Sequence, residues 1–252
     1  MAKQLYNREA LRELKEAYAT IEVRYRELIS KWALRDLKSN AAAEYAHHGF
    51  LRRVKTLRQC IDNTFRLISP ASRKVPSEAR RLNASINIQA FYANLFGAID
   101  NLAWVWVHER SLKMARTRVG LKVEHKELRE TFSIAFQDYL ASRDDWMKYV
   151  IEYRDALAHR IPLYIPPGTV GSKDQSAYEE FERRKIQALY KREDPALYES
   201  ISLKQSKLLV FKPIITHSLA EAQGWYPFHK QMVIDFLTIE EMADKMLEEL
   251  KQ

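Results

Sequence analysis

Residues 86–107 read INIQAFYANLFGAIDNLAWVWV, and few folds can accommodate such a segment. At helical periodicity Ile88, Tyr92, Leu95, Ile99, Leu102 and Trp106 mark one face, while Phe91, Phe96, Trp104 and Val105 fall on others. A helix that is apolar almost all round has to be covered on every side. Its length would cross a bilayer, but Asn87, Gln89, Asn94, Asp100 and Asn101 interrupt it. Uncompensated polar groups are costly in lipid, so the segment reads as the buried centre of a helical bundle, with no membrane partner.

The rest of the chain supplies covering helices. Residues 4–38 carry Leu11, Leu14, Tyr18, Ile21, Tyr25, Leu28 and Trp32 in steps of three and four, which predicts one long amphipathic helix. After Ser39-Asn40, residues 41–68 present Phe50, Val54, Leu57, Ile61, Phe65 and Ile68, ended by Ser69-Pro70. A basic linker over 71–83 leads to the central helix, expected over 85–110. A fourth helix is expected over 124–140. Ser142 with Asp145 has capping-box spacing, predicting the start of a fifth helix that Pro162 stops. Residues 163–165 and 208–215 are short, apolar and broken by proline, suggesting a two-stranded ribbon. Between them lie a polar loop over 168–176 and a charged helix over 177–192, and residues 228–250 close the chain as a helix. The expectation is an all-α helical bundle spanning 1–252 as a single domain, with a small two-stranded β-ribbon insertion over 163–215, near the C-terminus.

Composition agrees with helix: hydrophobic residues make up 46% and charged ones 29%, with only 6 Gly and 8 Pro in 252 residues. The single Cys60 can form neither an internal disulfide nor a cysteine metal cluster. With no secretory signal at the N-terminus, this points to a cytoplasmic, reducing setting. The net charge of +8 is one-sided, since residues 1–85 hold 18 Lys+Arg against 9 Asp+Glu and residues 86–252 hold 23 against 24. Within the basic third, Arg52, Arg53, Lys55, Arg58, Arg73, Lys74, Arg80 and Arg81 are candidates for attracting a phosphate backbone by counterion release; Arg66 falls in the same stretch. A solvated helix face followed by a basic loop is the other reading of the same residues.

Common catalytic constellations are missing. The sequence has no Gly-rich phosphate loop, nucleophile elbow, His-Glu-x-x-His or cysteine pair, and the adjacent His47 and His48 diverge on a helix. His108, His125, His217 and His229 fall near element ends, where solvated or capping roles are common. No metal or other cofactor is expected.

The segment YRDALAHRIP, residues 153–162, is different. Trp146, Val150, Tyr153 and Leu157 form one apolar row of the fifth helix, and Met147, Ile151 and Ala158 the next, with Arg154 set inside that second row. Buried guanidinium needs a partner. Asp100, with Asn101 beside it, is an unexplained acid in the central helix, and Asp100 with Arg154 is the expected pair, either as a structural lock on helix register or as part of a site. Asp155 and His159 stand at i,i+4, where a carboxylate can hold one imidazole nitrogen.

Arg154-Asp155-Ala156-Leu157-Ala158-His159 resembles the Arg-x4–6-His motif of HEPN domains, compact helical bundles of prokaryotic toxin, abortive-infection and CRISPR-associated proteins. The residue after the arginine is polar in that motif, most often Asn; Asp155 is a mild departure. The likeness covers residues 85–162 and rests on context more than on the bare pair: an amphipathic helix ended by Pro162, preceded by a helix carrying Asp100-Asn101. The resemblance implies a metal-independent endoribonuclease acting on RNA, with a homodimer bringing two motifs together. His159 would be general acid or base, Arg154 would stabilise phosphorane charge, and Asp155 and Asp100 would orient them. It also implies a toxin or phage-defence setting with an antitoxin or regulatory partner. A non-catalytic helical module binding RNA, a nucleotide or a partner protein is the alternative.

Overall fold

The structure, a computed structural model, describes residues 5–191, 195–217 and 225–251. It is mostly helical, with short antiparallel ribbons late in the chain. Helix α1 runs Arg8–Ala33 and begins later than its apolar periodicity suggests, because the Asn7 side chain accepts the Ala10 N–H at 2.8 Å and fixes the cap there. The second expected helix is one continuous rod, α2 (Asn40–Glu44), a π-helical turn (Tyr45–Phe50) and α3 (Leu51–Leu67). The apolar centre is α4 (Glu78–Glu109), which starts seven residues before 85. Ser77 caps it and Glu78 complements its N-terminal dipole, so Arg80 and Arg81 are helical and not part of a linker.

Buried on α4 are Ile88, Phe91, Tyr92, Leu95, Leu102 and Trp106, covered by the α2–α3 rod, by α7 (Asp144–His159) and by α10 (Phe228–Glu249). α1 packs on the outer side of α3 and α10 through Leu14, Ile21, Leu28 and Trp32, the last tilted against Phe50 with centroids 5.0 Å apart. Each such large apolar side chain contributes roughly 1.5–3 kcal/mol when fully buried, so the all-round greasy α4 and the striped α1 account for their own positions. One apolar cluster runs from Tyr6 to Leu250.

The helix expected over 124–140 is split into α5 (Lys126–Arg129) and α6 (Ile134–Ala141) by Ser133, whose hydroxyl caps α6 and donates to Glu249 Oε2 at 2.7 Å. The capping box is corrected: α7 starts at Asp144, while the Ser142 hydroxyl turns back to donate to the Tyr139 carbonyl at 2.6 Å. Beyond α7, β1 (Thr169–Val170) pairs with β2 (Leu209–Val210), and β3 (Ile214–Ile215) pairs with β4 (Tyr226–Pro227), both antiparallel. Residues 163–165 form no strand, only a Tyr164 bridge to Thr216. Between the strands stand α8 (Gln175–Tyr190) and a helix the sequence pattern had not indicated, α9 (Pro195–Ser206). The expected ends at residues 4 and 192 lie outside the described residues. Among the described residues no helix is long and apolar enough to cross a membrane.

Candidate functional site

α7 presents Met147, Val150, Tyr153 and Ala156 to the core, which leaves Arg154 on the edge of the buried face with its side chain 40% exposed. Its guanidinium carbon lies 5.0 Å over the Phe96 ring, and Nη1 donates to Asp155 Oδ1 at 2.8 Å. The expected direct bond to Asp100 is not made. Phe96 lies one turn before Asp100 on α4, and the guanidinium sits over that ring with its chain neighbour as acceptor. Asp100 is half-buried, and burial raises its pKa above the ordinary carboxylate range against the opposing pull of Lys122, Arg154 and Arg53. Three cations thus act on one carboxyl without a bond from Arg154.

Asp155 is taken by Arg154, so the expected i,i+4 hold on His159 is also not formed. His159 is the last residue of α7 and is exposed. A charge-assisted bond to a rigid guanidinium outcompetes a contact with a ring at a helix end. The site is therefore open: a half-exposed cation on an aromatic shelf, an acid beside it, and an exposed imidazole slightly more than one turn away.

Asn101 supports a different arginine from the expected one. Its Oδ1 accepts Arg53 Nε at 2.9 Å, and Asn94 Oδ1 accepts Arg53 Nη1 at 3.4 Å. Two glycines make the room: a Cβ on Gly97 would lie 2.3 Å from Arg53 Cζ, and one on Gly49, within the π-helical turn, 2.9 Å from Asn101 Cγ. Arg53 is thereby turned inward, held by neutral amides that leave its charge unneutralised, and it joins Arg154 and Lys122 around Asp100.

The other basic candidates divide into engaged and exposed side chains. Arg58 Nε donates to Glu22 at 2.6 Å, Arg81 Nη1 donates to the Pro76 carbonyl at 2.6 Å, and Arg52 Nη2 lies 3.1 Å from His48 Nδ1. Lys55, Arg73, Lys74 and Arg80 are exposed.

Sequence reasoning missed the polar cluster behind α7. Asp235 of α10 is fully buried, its Oδ1 accepting the Trp146 indole N–H and the Gln231 amide, both at 2.9 Å, and Oδ2 has no partner. Burial raises its pKa to about 7. Tyr92 and Tyr149 share a hydrogen bond beside it, and Tyr153 lies 4.8 Å from Tyr92 and 4.7 Å from Tyr149, ring centre to ring centre. His217 and His229 are buried, so of the two roles their places near element ends suggested the solvated one is excluded, and His229 Nε2 lies 2.7 Å from the carbonyl of Ile68, the residue that ends α3. His108 stacks on Trp104, and His125 occupies the cap position of α5 without a side-chain cap bond. Among the described residues no three His, Cys, Asp or Glu side chains gather in a metal-holding group. The chain matches no family model, no curated protein and no solved structure.

Proposed function

We propose that the chain is a HEPN-type, metal-independent endoribonuclease of cytoplasmic toxin or defence character, its site completed by a second copy. The observation that carries this is the openness of Arg154: a guanidinium at the edge of the buried face of α7, 40% exposed on Phe96, with one ion-pair partner and an exposed imidazole beyond it. In this reading one His159 removes the proton from a ribose 2′-OH, the 2′-oxygen bonds to phosphorus, and the P–O5′ bond breaks. The partner's His159 protonates the leaving oxygen, yielding a 2′,3′-cyclic phosphate and a 5′-hydroxyl. Arg154 supports the equatorial charge as it develops. One imidazole per copy cannot fill both roles, which gives dimerisation its chemical reason.

A second reading has its own observation. Asp155 is engaged by Arg154, so nothing among the described residues orients His159, as suits a module that binds RNA, a nucleotide or a partner protein without cutting. Purified protein incubated with single-stranded and hairpin RNA in EDTA separates the two. Nuclease activity predicts cyclic-phosphate ends and a loss of about 10²–10⁴-fold in His159→Ala. Salt-sensitive binding without cleavage selects the module. Toxicity on expression that Arg154→Ala relieves would support the nuclease and its setting.

A further inference from the structure

The N-terminal charge surplus is distributed unequally by the fold. The cations of the C-terminal half of α1 and of the turn after it are engaged: Arg24 donates to Glu240 of α10 at 3.0 Å, Arg26 to Glu22 at 2.8 Å, Lys31 to Asp244 of α10 at 2.7 Å and Arg35 to the Leu250 carbonyl at 2.7 Å. Arg53 is turned inward and Arg58 is paired with Glu22. At the opposite end of α1 the cations stay on the surface. Arg8, Arg12 and Lys15 share a helix face with Leu11 and border an open groove of about 740 Å³. The facing wall is the end of α3 and the turn after it, including Phe65, Arg66 and Pro70.

The groove combines two chemistries. Tyr18 and Phe65 lie parallel in its wall, centroids 4.1 Å apart and planes 6° apart. Against its four cations stand Glu16, 4.0 Å from Arg12 with both side chains 68% exposed, and Asp62, which binds Arg66 and accepts the Tyr18 hydroxyl at 2.8 Å. Among the described residues Arg8 and Lys15 have no acidic partner, so the groove keeps a positive excess. Past Ala71 the chain runs on to Arg73 and Lys74, both exposed.

We infer that this groove holds a single-stranded segment of RNA, phosphates on the α1 cations and bases against the Leu11–Tyr18–Phe65 wall. Cations alone would suit any polyanion, and an apolar wall alone any greasy partner. The combination fits a strand whose charged backbone and flat bases are both accessible, which a duplex does not offer. The choice of RNA rests on the proposed function. The groove itself lies on elements other than those bearing Arg154 and would serve a cutting and a merely binding protein alike.

The test is fluorescence anisotropy of a labelled single-stranded 12-nucleotide RNA on the full chain in EDTA, across a range of salt, in a His159→Ala background so that the probe survives. Arg12→Glu with Lys15→Glu changes only exposed side chains, and unchanged circular dichroism confirms folding. The expected result is at least tenfold weaker binding and a shallower salt dependence in the double variant, with Arg154→Ala measured beside it. Equal affinity of parent and double variant overturns the inference, as does equal competition by duplex RNA or preference for an acidic amphipathic peptide. Binding that falls in Arg154→Ala but not in the groove variant removes the groove and spares the proposed function. Groove-dependent binding with no cleavage by the unsubstituted chain does the reverse.

Discussion

Gly97 shows how one missing methyl organises a site. In an exposed helix interior Gly→Ala stabilises by about 1 kcal/mol. Here the added Cβ would meet the Arg53 guanidinium at 2.3 Å, and because that group is the far end of a flexible chain the methyl would expel it instead of breaking α4. The cost is the pair of bonds to Asn101 and Asn94, about 1–2 kcal/mol, so Gly97→Ala should be neutral to slightly destabilising. In an Arg53→Ala background the same substitution should stabilise. Urea denaturation of the four proteins checks this, and additivity within about 0.3 kcal/mol would refute the packing described. The sequence made Asp100, Asn101 and Arg154 legible as polar intrusions on apolar helices. Which arginine meets which acceptor was not legible, because it follows from the register of α3 on α4 and from space at Gly49 and Gly97, neither of which leaves a periodic mark.

α7 carries the motif, and its rotation is fixed from behind. The Trp146 indole donates to buried Asp235, and Tyr149 and Tyr153 close on Tyr92. Trp146→Phe keeps an aromatic ring, smaller than the indole, and removes one donor from a carboxyl that already has an unpartnered oxygen, a loss of about 1–3 kcal/mol from the hydrogen bond alone. Hydrogen exchange in α7 should quicken while α3 keeps its protection; uniform acceleration would mean that α7 is not separately held. At this scale the helices were legible wherever their apolar rows were long, as in α1, α4 and α10. The starts were less so, because serines at 77, 133 and 142 look alike in sequence. Two became caps, whereas Ser142 sits at the end of α6 and bonds backwards. The π-helical turn and α9 carried no pattern: the first is one inserted residue's worth of geometry, and the second buries little beyond Ile201 and Gln205.

Across the whole molecule, two fully buried groups pull the pH dependence of stability in opposite directions. His229 lies between Phe65 and Phe228 with Nε2 2.7 Å from the Ile68 carbonyl, and burial lowers its pKa from 6.5 to about 3. The unfolded chain takes up a proton that the folded one refuses, so stability present above the ordinary histidine range is lost as pH falls through it. Asp235 is the converse, raised from 3.8 to about 7 by burial. The unfolded chain gives up a proton that the folded one retains, so stability present at acid pH is lost as pH rises toward neutral. Between about pH 4.5 and 6.5 each group alone would impose a slope approaching 1.4 kcal/mol per pH unit, and the two slopes cancel. Asp235→Asn keeps an acceptor for Trp146 while removing one side of the opposition. Its stability relative to the parent should rise by up to about 3 kcal/mol from pH 4.5 to 6.5, the direction set by His229 alone. His229→Gln keeps a donor for Ile68 and should tilt the other way, losing stability over the same interval as Asp235 ionises in the unfolded chain. Urea midpoints at three pH values decide it: curves that stay parallel to the parent in both variants would show that neither group is held in its uncharged form.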